Sequence, residues 1–171
     1  MSEKSDIHLV LGGASSGKSA WAEAEVFRSG GRPVYFATAR LLDREMRDKA
    51  ELHARRRGGA WTLLETPDDL ASACAASGED DTVVIDCATM WLTNRMMDEE
   101  PWAPAADLWI AAMAAAPARF VVVSNDLSGG VVPENAMARR FQRMQGELNQ
   151  RLAAAADRVH LVTAGLAQRL K

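Results

Sequence analysis

Ile7–Leu11 (IHLVL), Gly12–Ser19 (GGASSGKS) and Lys18–Arg28 (KSAWAEAEVFR) form one unbroken stretch in which three kinds of pattern follow each other. The first is a continuous apolar run rather than an alternating one, as expected of a strand buried on both faces. A pair of glycines ends it. Helix formers follow, with Trp21, Ala24 and Phe27 or Arg28 near one face. The junction is a full match to GxxxxGK[ST], set between a strand and a helix as that motif requires. The glycines let the backbone of Gly12, Gly13, Ala14, Ser15, Ser16 and Gly17 curl so that successive N–H groups point at phosphate oxygens. The helix N-terminus adds its partial positive charge. In this reading Lys18 reaches the β and γ phosphates and the Ser19 hydroxyl ligates Mg²⁺. A plain glycine turn is the alternative, but such a turn has no need of Lys-Ser.

Outward from this stretch, strands and helices alternate. Pro33–Thr38 (PVYFAT) reads as a strand, Asp43–Arg56 as a helix and Trp61–Glu65 as a short strand, followed by a helix opening at Pro67-Asp68-Asp69. Thr82–Asp86 (TVVID) and Arg119–Ser124 (RFVVVS) are continuous apolar strands, and Arg158–Thr163 (RVHLVT) reads as the last. The longest helix is expected from about Pro133 to Ala156, where Met137, Phe141, Met144, Leu148, Leu152 and Ala155 lay one stripe along one face. Asp98–Ala106 (DEEPWAPAA) is the most loop-like segment. The alternation predicts an α/β fold with a mostly parallel sheet covered on both faces. With no internal repeat and no linker, residues 1–171 are expected to form a single domain.

Apolar residues make up 48% and charged residues 25%, which excludes a disordered or fibrous chain. Twenty basic against 23 acidic residues leave a net charge of -3, so no bulk basic footprint argues for nucleic acid or an anionic membrane surface. Cys74 and Cys87 are too few for a disulfide framework and read as small buried hydrophobes, with a reducing cytoplasm the expected setting. No apolar run approaches the roughly 20 residues of a membrane-spanning helix.

Asp86, at the end of TVVID, is the candidate carboxylate for Mg²⁺; Asn125 and Asp126 follow RFVVVS in the same way. Ligands of open α/β sheets sit beyond the carboxyl ends of the strands, so these loops should meet at one crevice. Of the three histidines, His8 and His160 fall inside strands and read as packed imidazoles. His53 lies on the second helix, where Met46, Ala50 and His53 are spaced four and three apart, and Ala54-Arg55-Arg56-Arg57 follow it. Two readings stay open: a core histidine with basic residues favoured by the helix C-terminus, or a neutral imidazole that attacks phosphorus while arginines hold triphosphate charge.

GGASSGKS, YFATARLLDREM, His53 with its arginines, and Trp61–Glu65 form one ordered pattern. It continues through VVIDCATMWLTN, SNDLSGGVVPEN, ARRFQRMQGELNQRLAAAADRVHLVTAG and Leu170-Lys171. From Ile7 to Lys171 it resembles the bifunctional adenosylcobinamide kinase / adenosylcobinamide-phosphate guanylyltransferase family of cobalamin nucleotide-loop assembly. The resemblance implies a three-layer P-loop NTPase fold with a RecA-like sheet, and a homo-oligomer, most simply a trimer. It implies ATP or GTP as phosphate donor to adenosylcobinamide, then transfer of GMP from GTP to adenosylcobinamide phosphate through a guanylylated histidine, which falls on His53. Nucleotide contacts would fall on Gly12–Ser19, Thr38, Ala39, Arg40, Leu41, Ala54, Arg55, Arg56, Arg57, Glu65 and Asp86, with Mg²⁺ at Ser19 and Asp86. The chain departs from the family pattern at Leu52, where a second histidine is common, at Gly58-Gly59, at Asn125–Ser128 and at Gln142-Arg143. Two other readings remain: a P-loop small-molecule kinase with a structural His53, and a RecA-type regulatory or DNA-binding module.

Overall fold

The strands β1 (Asp6–Gly12), β2 (Arg32–Ala37), β3 (Thr62–Glu65), β4 (Asp81–Asp86), β5 (Arg119–Asn125), β6 (Arg158–Thr163) and β7 (Leu166–Arg169) form one sheet in the order β3-β2-β4-β5-β1-β6-β7. Every pairing is parallel except that of β6 with β7. The helices are α1 (Lys18–Ser29), α2 (Arg44–Arg57), α3 (Leu70–Ala75), α4 (Ala88–Met97), α5 (Trp102–Ala115) and α6 (Ala136–Ala155). This computed structural model describes residues 6–42, 44–66 and 68–171; within α2 the side chains of Glu45, Met46, Lys49, His53, Arg56 and Arg57 lie outside the description.

The central strands carry continuous apolar runs, Leu9–Leu11, Val83–Ile85 and Phe120–Val123, because both faces of the sheet are covered. Leu9, Phe36, Ile85, Phe120 and Val122 point to one side, where they meet Leu70, Trp91, Trp109, Met113, Leu148 and Leu152 from α3 to α6. Val10, Tyr35, Val84, Val121 and Val123 point to the other side, against Ala22 and Val26 of α1. Helix, sheet and helix make three layers. Trp91 and Trp109 meet edge to face at 5.6 Å in the thicker layer.

Several expectations need correction. The segment 98–106 is not all loop: α5 starts at Trp102, and Pro104 sits in its first turn, where the missing N–H breaks no helical bond. Ala106 and Trp109 of that helix are buried. Nor is β6 the last strand. Ala164 and Gly165 both adopt positive φ (52° and 77°) and fold a two-residue hairpin that returns the chain as β7. The helix α6 begins after Asn135, not Pro133; the Asn135 side chain accepts hydrogen bonds from the Met137 and Ala138 amides at 2.8 and 3.2 Å. Met137 is 67% exposed, so the buried stripe starts at Phe141. Asp69 caps α3 through the Ser72 amide at 3.1 Å, while Asp43 and Pro67 lie outside the described residues.

The two strand histidines pair beneath α1. His8, buried, sits with Nε2 2.7 Å from His160 Nδ1. Trp21 packs on both rings, and Arg158 joins Glu25 to Asp6 beside them. Burial, then Arg158 and His160, push His8 down to about 4, against the opposing pull of Glu25 and Asp6. The unfolded chain takes up this proton near 6.5, so between pH 6.5 and 4 it binds more protons than the native state. Stability from this source is complete above 6.5 and falls as pH drops towards 4, by at most about 1.4 kcal/mol per pH unit. Urea unfolding at pH 7 and pH 5 is expected to show that loss, and His8→Gln to flatten it.

Candidate active site

The loop between β1 and α1 is shaped by its backbone. Ser15 and Gly17 adopt positive φ (56° and 89°), the Ser16 amide donates to Gly13 O at 3.3 Å, and the Trp21 amide donates to Gly17 O at 3.0 Å as α1 begins. Lys18 Nζ donates to Gly13 O at 3.0 Å, which folds the ammonium back over the loop. Behind the loop there is no room. A Cβ on Gly12 would collide with Ser16 Oγ and lie 2.7 Å from Val162 O, and one on Gly17 would lie 3.1 Å from Gly165 Cα. The β6–β7 hairpin closes this side, its Gly165 amide donating to Ser16 O at 2.8 Å.

Sheet register brings the other strand ends to the same edge. Gly12 pairs with Asn125 and Val162, while Ala37 pairs with both Asp86 and Glu65. Gly12, Asp86, Glu65 and Asn125 therefore share one carboxyl-terminal rim, and the Asp126 amide ties the β5 end to Gly12 O at 2.9 Å. The half-buried Asp86 carboxylate accepts the Tyr35 hydroxyl at 2.7 Å through Oδ2. Burial and then Asp86 push the Cys87 thiol up to about 12, and Lys18 acts against them, so the charges of Asp86 and Lys18 act on one buried atom. Among the described residues no group of three His, Cys, Asp or Glu side chains could hold a metal ion. Mg²⁺ bound with a nucleotide needs only one or two protein oxygens, because phosphates and water complete its shell. The sequence candidates for those oxygens are Ser19, half-buried in the first turn of α1, and Asp86, which ends β4.

The remaining sequence candidates are placed less uniformly. Thr38 is buried; its hydroxyl donates to Cys87 O at 2.7 Å and accepts from Cys87 N at 2.8 Å, and its carbonyl accepts from Asn94 at 2.8 Å. Its side chain therefore locks the end of β2 to the end of β4. Arg40 is engaged by Asp98, at 2.6 and 2.8 Å, and by Asp68. Ala39 is half-buried, Leu41 exposed, and Glu65 exposed at the end of the edge strand β3. On α2, Ala54 and Arg55 are exposed, with Arg55 donating to Glu51 at 2.6 Å. The side chains of His53, Arg56 and Arg57 lie outside the described residues. Two contributors went unread in the sequence. Tyr35 had one available signal: a phenol inside an apolar strand needs a partner for its hydroxyl. The Ala164-Gly165 turn is the other.

A three-layer, mostly parallel sheet with this loop after β1 and a strand-end aspartate beside it defines a P-loop nucleotide-binding protein. Solved structures of the same fold include the flagellar accessory protein FlaH from Methanocaldococcus jannaschii (TM-score 0.57, 14% identity, 98% of this chain and 79% of that one). The RadB recombinase is another (TM-score 0.55, 14% identity, 92% and 74%). At that identity they bear on the fold alone. Residues 8–170 match the family CobU, cobinamide kinase / cobinamide phosphate guanyltransferase. The bifunctional adenosylcobalamin biosynthesis protein CobU of Salmonella typhimurium is 38% identical over 181 residues, covering 95% of this chain and 98% of the relative. The corresponding protein CobP of Pseudomonas aeruginosa is 36% identical over 166 residues, covering 95% and 96%. The chain belongs to the cobinamide kinase / cobinamide phosphate guanyltransferase family.

Lys18→Ala is expected to lower triphosphate-dependent turnover by about 100-fold or more at saturating nucleotide without loss of fold, because the side chain acts on phosphate charge and not on the core. Asp86→Asn should raise the Mg²⁺ needed for half-maximal activity about tenfold or more, and Tyr35→Phe by a smaller factor, read from metal titrations.

Proposed function

We propose that this protein performs two successive reactions on one nucleotide site. In the first, the aminopropanol hydroxyl of adenosylcobinamide attacks the γ-phosphorus of ATP or GTP; the bond to the β-phosphate breaks and a nucleoside diphosphate leaves. In the second, an imidazole nitrogen of His53 attacks the α-phosphorus of GTP, and pyrophosphate leaves as the P–N bond forms. A phosphate oxygen of adenosylcobinamide phosphate then displaces the imidazole at that phosphorus, giving adenosylcobinamide-GDP and a free His53. The observation that supports this reading most is family membership over residues 8–170 joined to the loop Gly12–Ser19, in which Gly12 and Gly17 leave no room for a side chain.

In this reading the loop amides and Lys18 hold the β and γ phosphates, and Ser19 and Asp86 hold Mg²⁺, which neutralises phosphate charge when bound. Covalent transfer through His53 suits the problem physically. Direct transfer would put GTP and a corrinoid phosphate, two polyanions, in one crevice; the histidine lets pyrophosphate leave between the steps. Neutral imidazole is nucleophilic near pH 7. Arg55, Arg56 and Arg57 follow it closely enough for one or two to offset triphosphate charge, although one helix cannot aim all three alike. We further infer a cytoplasmic homotrimer, for which sedimentation at micromolar protein gives the direct check.

The test is intact-mass measurement after incubation with GTP and Mg²⁺. The expected result is a GMP adduct that is acid-labile and alkali-stable, as a phosphoramidate is, and absent in His53→Ala. Phosphorylation of adenosylcobinamide should survive that substitution. An adduct that persists in His53→Ala would return His53 to a structural role and leave a P-loop small-molecule kinase as the better reading.

A further inference from the structure

Beside the phosphate loop, the β5–α6 connection and α6 enclose a cavity of about 590 Å³ that opens to solvent. Its floor is one side of α6, formed by Arg139, Gln142, Arg143, Gly146, Glu147, Asn149 and Gln150. Its wall is Asp126, Leu127 and Ser128, and Val132 forms its lip. None of these residues belongs to the nucleotide set described above.

The cavity is built as a site, and it is continuous with the chemistry. Asp126 in its wall donates its amide to Gly12 O, the first residue of the phosphate loop, at 2.9 Å. Wall and floor are held together by side-chain amides: Gln142 donates to Leu127 O at 2.7 Å and Asn149 to Asn125 O at 2.9 Å. Beneath them Gln145, fully buried, donates to Ser124 Oγ and to Asn149 Oδ1, each at 2.9 Å. Arg139 fixes the lip by donating to Pro133 O and Glu134 O at 2.8 and 2.6 Å. The floor thus offers amides, the guanidinium of Arg143 and, one turn on, the Glu147 carboxylate, while the lip offers bare hydrocarbon: Val132 is 70% exposed and its neighbour Val131 93%. A side chain added at Gly146 would meet nothing within 4 Å, so the floor has open space in its middle.

Carboxamides pair well with Gln and Asn because each group both donates and accepts. An apolar ring edge suits exposed valines, and arginine suits a phosphate. A corrinoid presents these features together: an apolar macrocycle fringed with carboxamides and bearing a hydroxyl-ended arm. A volume within the ordinary range of small-molecule pockets admits the arm and one edge of such a ring.

We propose that this cavity is the acceptor subsite. It receives the hydroxyl-ended arm of the corrinoid with its neighbouring carboxamides and, after the first reaction, the same arm carrying phosphate. This rests on the functional reading above, and the test separates the two. Gly146→Leu fills the floor, and Val132→Asp places a charge on the apolar lip. Binding of adenosylcobinamide is measured by titration, and formation of the GMP adduct from GTP is followed by intact mass in the same preparations. The expected result is a Kd for adenosylcobinamide raised about tenfold or more in Gly146→Leu and about threefold or more in Val132→Asp, with the KM for GTP in adduct formation moved less than about twofold. Parent-like corrinoid affinity in both variants, folded by circular dichroism, would overturn the subsite while leaving the functional reading in place. If Gly146→Leu fails to fold, Val132→Asp decides in the same way. A parent protein that forms the GMP adduct yet neither binds nor converts the corrinoid overturns the functional reading, and the acceptor assignment with it.

Discussion

Backbone amides can face a phosphate only if something fixes the curl of the loop from behind, and here that is the β6–β7 hairpin. The Gly165 amide reaches Ser16 O at 2.8 Å, and Val162 O lies only 2.7 Å from where a Cβ on Gly12 would be. The loop is therefore wedged between β1, to which it is covalently joined, and a turn almost 150 residues further along the chain. That fixes its dipoles before a nucleotide arrives, so little reorganisation is left to be done on binding. It also explains why an exposed four-residue strand at the edge of the sheet matters: β7 holds the Ala164-Gly165 turn in place.

The same economy of placement governs the rim. Parallel register aligns strand ends automatically, so Gly12, Glu65, Asp86 and Asn125 come to one edge without long loops. What register cannot do is orient side chains, and separate contacts perform that task. Tyr35 holds one oxygen of Asp86 from the α1 side of the sheet, and the reciprocal bonds between Thr38 and Cys87 lock the ends of β2 and β4 together. Arg40, braced by Asp68 and Asp98, draws the segments after β2, β3 and α4 together. Each of these is a contact between residues that lie far apart in sequence.

That distinction also explains what the sequence disclosed. Strands buried on both faces leave continuous apolar runs, so β1, β4 and β5 were readable, and the glycines with Lys18-Ser19 revealed the loop. The edge strand β7, LAQR, is exposed along its length and leaves no such trace. The start of α5 was hidden by prolines that look like breakers but sit where a helix tolerates them. At the rim, the position of Asp86 at the end of β4 was legible from the apolar run before it. The engagement of Thr38 and Arg40 with protein partners was not, because local pattern is silent about which long-range partner a polar group will find.

The chain must bind polyanions although its net charge is -3. Over a screening length of about 8 Å at physiological salt, only local charge counts. Around the loop that charge is Lys18 and the N-terminus of α1, at the rim that also carries Asp86, which on the proposed function Mg²⁺ would convert from a liability into a ligand. On the proposed function, strand order separates the two groups that attack the bound nucleotide, the corrinoid hydroxyl and the His53 imidazole. The helix bearing His53 connects β2 to β3 at one side of the sheet, whereas the cavity assigned to the acceptor lies beside β5, next to β1. A nucleotide fixed by its terminal phosphates at β1 can then present its γ-phosphorus to a hydroxyl from the β5 side and its α-phosphorus to an imidazole from the β2 side. On that proposed function, one phosphate cradle would serve both attacks on the bound nucleotide, at its γ- and its α-phosphorus, before the corrinoid phosphate takes GMP from His53.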